Sequence, residues 1–244
     1  MNLIIDVGNS KVKLAIYSKG RLLKKDTVSY ARLKTTLLSW IADYPGITKA
    51  ILASVGPIKS GDFKYLSDHF DLHILSSASK LPFKNRYNTP KTLGVDRLAV
   101  IAAASQHYAL ANVLVIDAGS CITFDFINDK NEYLGGSISP GISLRYKALN
   151  TFTANLPLLE PKAPRQLIGK STNSAIHAGV IYGVLNELDG VIDEYRSNWS
   201  DLTVILTGGD AKLLSKRLKN SIFANPNFLL DGLNFILEFN TRSC

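Results

Sequence analysis

Cysteine is almost missing from this chain: of 244 residues only Cys121 and Cys244 are cysteines, and no metal-ligand spacing joins them. Reduced, unpaired thiols in a cytosolic protein are the expectation. Histidine is nearly as scarce, at four residues. His69 and His73 have i,i+4 spacing, but HFDLH runs from a helix end toward a strand, so no ligand pair on one helix face is expected. No apolar run approaches the roughly 18 residues that span a bilayer. The N-terminus has no basic-then-apolar leader, and no segment is of low complexity. These absences argue against a disulfide scaffold, a zinc module and a membrane protein, and for a cytoplasmic location.

Acidic charge is also in deficit. Twenty-eight Lys and Arg against 20 Asp and Glu leave a net charge of +8 and a pI near 9.4. The basic residues are spread along the chain, and KGRLLKK and SKRLKN are their only concentrations. Neither has interleaved aromatics for stacking on bases, so no nucleic-acid partner is expected. A basic surface does suit anionic small substrates, whose local concentration it raises. With 46% apolar residues the chain is long enough to bury a sizeable core.

A repeated pattern is present. LIIDVGNSKVKLAIYSKGRLL, from Leu3, aligns without gaps on LVIDAGSCITFDFINDKNEYL, from Leu114, and sets Asp6 on Asp117 and Gly8 on Gly119. Each segment reads as strand, tight turn at D-x-G, strand, polar turn and a further short strand. ARLKTTLLSWIADY, DRLAVIAAASQHYAL and SAIHAGVIYGVLNELDGVIDEY have helical spacing of apolar residues, and KAILASV reads as a buried strand. LTVILTGGDAKLLSKRL reads as strand, Gly turn and helix. Two similar α/β halves, 1–111 and 112–244, are therefore expected. No Pro/Ser linker divides them, so close packing with a cleft between them follows.

Chemistry concentrates at the turns. Gly8 permits a tight turn and lets backbone N–H groups approach an anion without a Cβ in the way. Asn9 and Ser10 add side-chain donors, and Lys11 and Lys13, two apart on a strand, put positive charge on one face. Asp6 is placed to hold Mg²⁺ through water. The second turn supplies Ser120 and a second carboxylate, Asp117. Two such hairpins could clamp the phosphates of a nucleotide and its metal from both sides. Gly208 and Gly209 permit close approach of a ring or ribose to the backbone. One near match is discounted: PRQLIGKST ends like a phosphate-binding P-loop, but Pro164 replaces the first glycine and no strand precedes it. Gly179 and Gly183 form a G-x-x-x-G on the long helix, the mark of close helix packing or of a dimer interface.

In combination these turns resemble the nucleotide-binding signature of the actin, sugar kinase and Hsp70 superfamily. More narrowly, YNTPKTLGVDR, IDAGSCITFD, GGSISPG, ALNTFTANLP, IGKSTNSAIHAG and TGGDA resemble the motifs of type III pantothenate kinases, in order and over nearly the whole chain. Ser120-Cys121 stands where that family often has Thr-Ala, and the serine keeps the hydroxyl. The resemblance implies two actin-like (ribonuclease H-like) halves, an ATP-dependent phosphorylation of pantothenate at the first step toward coenzyme A, and a homodimer. It implies that Asp6, Val7, Gly8, Asn9, Ser10, Lys11, Val12 and Lys13, with Ser120, bind ATP. By the same resemblance Asp96 is the base, kept ionised by the dipole of its helix. The resemblance further implies that Tyr87, Gly94, Val95, Asp96, Arg97 and Thr172 bind pantothenate, whose carboxylate suits a guanidinium. A monovalent cation, K⁺ or NH₄⁺, is implied at Asp117, where residue chemistry alone says Mg²⁺. Two other readings stay open: a same-fold kinase for another hydroxyl, and a non-catalytic regulator like the Bvg accessory factor. YNTPKTLGVDR argues against the first, and the intact acids at 6, 96 and 117 argue against the second.

Overall fold

A computed structural model of the chain describes residues 1–8, 11–54 and 60–241. The chain forms two compact units, Met1–Ala109 with Asn227–Cys244 and Leu110–Pro226. The first unit begins with β1 (Asn2–Val7), β2 (Val12–Ser18) and β3 (Arg21–Val28), followed by α1 (Tyr30–Asp43), β4 (Lys49–Ser54), α2 (Ser60–His69) and β5 (Asp71–Ile74). A two-residue strand β6 (Lys84–Asn85), a 3-10 turn (Pro90–Thr92) and α3 (Val95–His107) complete its first stretch. The second unit contains β7 (Val113–Ala118), β8 (Cys121–Ile127), β9 (Glu132–Pro140), α4 (Ile142–Thr151), α5 (Thr172–Asn198), β10 (Thr203–Thr207), α6 (Ala211–Leu214) and β11 (Phe223–Ala224). The final helix, α7 (Phe228–Thr241), belongs to the first unit.

Both units have one plan. In the first the strand order is β3-β2-β1-β4-β5, and in the second β9-β8-β7-β10-β11. The first strand of each set pairs antiparallel with the second and parallel with the fourth. β1 and β7 lie at the centre, which explains their near-continuous apolar runs, LII and VLVI, in place of alternation. β3 is an edge strand and is mostly exposed, as its polar RLLKKDT sequence requires. Lys19 and Gly20 both have positive φ, 49° and 75°, which gives the primed two-residue turn that matches strand twist.

The two units differ by one residue at the D-x-G turn. Asp6 lies opposite Lys13, whereas Asp117 lies opposite Thr123. The gapless alignment, which sets Lys13 on Phe124, thus slips by one after the turn, because the second turn is a residue shorter. Lys11 also precedes β2 and is exposed, while Lys13 is half-buried within it, so the two do not share a strand face.

Each sheet carries its own core. In the first unit α1 lays Leu33, Leu37 and Trp40 against Leu3, Ile5, Leu14 and Ile16. In the second, α5 lays Ile176, Val180, Val184, Leu188 and Ile192 on Phe124, Phe126 and Leu206 at helical spacing. Ser171 is the N-cap of α5, in a reciprocal capping box with Ser174, and Thr172 is the first helical residue.

The sequence reading runs the second half from 112 to 244. The structure instead returns the last segment to the first unit, since α7 packs on α3. Small residues allow this: an added Cβ at Gly232 would fall 1.8 Å from the Ala99 carbonyl oxygen. Gly232→Ala is therefore expected to destabilise the protein by about 3 kcal/mol or more, since the obstacle is helix backbone. Gly190→Ala on α5, where a Cβ meets nothing within 4 Å, is expected to be neutral or slightly stabilising. Urea unfolding of both variants checks the pair.

Candidate active site

The acid of the first turn is buried. Asp6 is 7% exposed, between Ile5 and Val7, and its Oδ2 lies 3.3 Å from Lys13 Nζ across the β1–β2 pair. Burial pushes its carboxyl above the ordinary carboxylate range, the Lys13 ammonium pulls it partly back, and the negative charge of Asp96 adds to the rise. Asp6 and Asp96 both belong to the first unit. The turn itself is closed by the Gly8 N–H, which donates to the Lys11 carbonyl at 3.1 Å. Val12 is buried beside it. Asn9 and Ser10, both expected to contact phosphate, lie outside the described residues.

Asp96 is the second residue of α3, after the N-cap Gly94 and Val95. Its Oδ1 accepts the Arg97 backbone N–H at 2.9 Å. The same oxygen stands 2.4 Å from where a Cβ on residue 94 would be, so glycine leaves room for the carboxylate to fold over the helix start. Arg97 is buried, and its guanidinium carbon lies 5.4 Å from the centre of the Tyr87 ring. The structure thus brings Tyr87, Gly94, Val95, Asp96 and Arg97 together at one helix N-terminus.

In the second unit Asp117 is half-buried and Ser120 is exposed. Gly119 N–H closes the turn on the Cys121 carbonyl at 2.9 Å. Gly208, with φ of 95°, packs flat against this strand end: an added Cβ would lie 2.3 Å from the Ala118 carbonyl oxygen and 2.4 Å from Asp117 Oδ1. Two residues on, the Asp210 N–H donates to the Ala118 carbonyl at 2.9 Å. The first glycine of the pair therefore serves the Asp117 turn, whereas an added Cβ at Gly209 meets nothing within 4 Å. Burial also raises the Asp210 carboxyl, a group that sequence reasoning passed over. Gly141, the last residue of the GGSISPG motif, braces the same turn. Its N–H donates to the Ser120 carbonyl at 3.1 Å, and a Cβ there would fall 2.1 Å from the Gly119 carbonyl oxygen.

Metal-ligand chemistry fits this geometry in a limited way. Among the described residues no group of three or more His, Cys, Asp or Glu could hold an ion. A single cradled carboxylate suits a hydrated cation that takes its remaining ligands from water and phosphate. Thr172 is exposed at the start of α5, beside a pocket of about 420 Å³ whose wall includes Lys162, Arg165, Asn173 and His177. The P-loop-like segment forms part of that wall and has no strand before it. The histidines are engaged separately: His69 with the Tyr65 carbonyl, His73 with Ser79, His177 with Tyr146, and His107 near Asp231. Cys121 is a free, exposed thiol; Cys244 lies outside the described residues.

A twice-repeated 3-2-1-4-5 sheet with an acid-tipped hairpin in each copy defines an actin-like fold of the sugar kinase and ATPase class. Solved structures agree. The chain superposes on a Campylobacter jejuni protein described as a conserved Baf-family transcriptional activator with a TM-score of 0.64, at 22% identity over 99% of this chain and 100% of that one. A glucokinase from an Antarctic psychrotroph gives 0.52, at 14% identity over 98% of both chains. The sequence narrows the class: residues 2–194 match the profile of type III pantothenate kinases. The type III pantothenate kinase of Christiangramia forsetii is 50% identical over 98% of this chain and 99% of its own. The chain belongs to the type III pantothenate kinase family.

The raised carboxyl of Asp6 has a measurable consequence. A folded-state pKa above the ordinary 3.8 means that this group's contribution to stability is fully present below that value and is lost as pH rises through the raised one. Asp6→Asn removes the dependence. It is expected to melt above wild type at mildly alkaline pH, with the gap closing as pH falls below the ordinary carboxylate value. Thermal melts across pH check this, and parallel profiles for the two proteins would contradict it.

Proposed function

We propose that this chain transfers the γ-phosphoryl group of ATP to the terminal hydroxyl of pantothenate, the first step toward coenzyme A. The observation that carries the reading is the gathering of Tyr87, Gly94, Val95, Asp96 and Arg97 at one helix N-terminus, in the same unit as the Asp6 turn. Under this proposal a turn suited to phosphates and a carboxylate suited to a hydroxyl share one site. In this reading Asp6, Val7, Gly8, Asn9, Ser10, Lys11, Val12 and Lys13, with Ser120, hold the ATP phosphates. Tyr87, Gly94, Val95, Arg97 and Thr172 orient pantothenate, with the guanidinium facing its carboxylate.

Asp96 accepts the proton of the primary hydroxyl as the oxygen bonds to the γ-phosphorus and the bond to the ADP oxygen breaks. Phosphoryl transfer has a loose transition state, so the proton leaves late and a strong base is unnecessary. Position matters more, and the contacts of Asp96 with Gly94 and Arg97 supply it. Mg²⁺ carried with ATP, and K⁺ or NH₄⁺ at Asp117, would offset the charge on the transferred group.

A homodimer and a cytoplasmic location belong to the same reading. An exposed free thiol at Cys121 suits a reducing compartment, and no described helix is long and apolar enough to cross a membrane. The G-x-x-x-G of α5 does not serve packing within the chain at Gly179, where an added Cβ meets nothing within 4 Å among the described residues. It borders an apolar groove of about 620 Å³ on α4 and α5, rimmed by Phe152, which is 84% exposed.

A coupled assay with ATP, Mg²⁺ and pantothenate tests the activity. Turnover is expected with pantothenate and no other hydroxyl substrate, and faster in potassium than in sodium. Asp96→Asn is expected to lower kcat about 10²- to 10⁴-fold, and full turnover by that variant would remove Asp96 as the base. Light scattering tests assembly: wild type is expected as a dimer, Phe152→Glu as a monomer.

A further inference from the structure

The two D-x-G turns are backed from the same place in the fold. After the third strand of each unit the chain enters its first helix, at Ser29–Tyr30 in one and Gly141–Ile142 in the other. In the second unit this helix start touches the turn through backbone, the Gly141 N–H on the Ser120 carbonyl. In the first unit it touches through a side chain: the Tyr30 hydroxyl donates to the carbonyl of Gly8.

We infer that Tyr30 is a positioning residue for the nucleotide-phosphate turn, holding the Gly8 carbonyl so that the turn is shaped before ATP arrives. This rests on the assignment of that turn to the phosphates. The argument is geometric. The Gly8 N–H is already committed to the Lys11 carbonyl, which leaves the Gly8 carbonyl as the group that fixes the next peptide plane. With its N–H and its carbonyl both held, the Gly8 backbone is fixed where the turn leaves β1, and fixed backbone is what a phosphate-binding turn requires. Glycine makes the anchor necessary, because residue 8 has no side chain to restrict its rotation. Tyr30 is 40% exposed, so burial alone does not require its hydroxyl to be bonded. The equivalent contact at Gly141, made by different atoms at the same topological point, is independent support for a shared need.

Tyr30→Phe removes the hydroxyl and keeps the ring. Tyr17→Phe is the control, because it also removes a hydrogen-bonding hydroxyl, one donated to Asp231 at 2.5 Å on α7. Calorimetric titration with ATP and Mg²⁺ gives Kd without reference to the acceptor, and steady-state assays give KM for each substrate. Tyr30→Phe is expected to raise Kd and KM for ATP about three- to tenfold, the range for one lost neutral hydrogen bond. KM for pantothenate should stay near the wild-type value. Tyr17→Phe should lower the melting temperature and leave the ATP Kd unmoved. An unchanged ATP Kd in Tyr30→Phe, or an equal rise in Tyr17→Phe, would overturn the inference. If wild type binds ATP yet leaves pantothenate unreacted, the functional reading fails while the Kd comparison still decides the role of Tyr30.

Discussion

A carboxylate buried in the middle of an apolar sheet constrains everything around it. Asp6 shares β1 with Leu3, Ile4, Ile5 and Val7, all at 2% exposure or less. Such a group is tolerated only with a partner, because a buried charge left alone is destabilising by several kcal/mol. Lys13 is that partner, and the antiparallel register that sets it opposite Asp6 is fixed by the length of the intervening turn. Lengthening or shortening the turn by one residue would move the lysine to the other face. The turn therefore cannot vary freely, although it lies at the end of a strand where loops ordinarily can. Asp96 adds a second negative group within reach, which raises the cost of the ionised pair. Local rules are broken here in the way functional sites break them.

The duplicated plan shows what a fold does and does not determine. Topology repeats strand for strand, and each copy presents a glycine turn after an acid. The chemistry differs. The first acid faces a lysine, and its turn is braced by a tyrosine hydroxyl. The second faces a threonine, is pressed by Gly208 and is braced by the backbone of Gly141. One copy sets its acid opposite a cationic side chain and the other opposite a neutral hydroxyl. The scaffold supplies the location, and substitutions at a few register positions supply the difference.

Local pattern made much of this readable in the sequence. Central strands announce themselves as short apolar runs ending in D-x-G, and α1, α3 and α5 by helical spacing. The cluster at Asp96 was legible because its members are close in sequence. What escaped notice depends on contacts distant in the chain. Nothing in FLLDGLNFILEF says that this helix returns to the first unit; that follows from Gly232 meeting Ala99, more than a hundred residues earlier. Tyr30 looks like any exposed aromatic at a helix start until its hydroxyl is seen on Gly8. Glycines are the sharpest case. Gly94, Gly141, Gly208 and Gly232 each fill a place where a Cβ would collide, whereas Gly179, Gly190 and Gly209 face open space. In the sequence the two groups look alike.

Under the roles proposed for Asp96 and Asp117, the use of glycine beside these acids suits the chemistry of phosphoryl transfer. A reaction whose transition state needs little help from a base gains most from fixed geometry and from charges already in place. Side chains near the reacting groups must then be held by neighbours that do not move. Gly94 lets the Asp96 carboxylate lie against the helix start, and the Arg97 N–H holds it there. Gly208 does the same for Asp117 by letting backbone press on the carboxylate. In both cases backbone, the least mobile part of the structure, replaces a side chain as the immediate neighbour. A larger residue at either position would not merely crowd the site. It would turn a fixed acid into one that must choose among rotamers, and the ordering of that acid would then fall to the transition state.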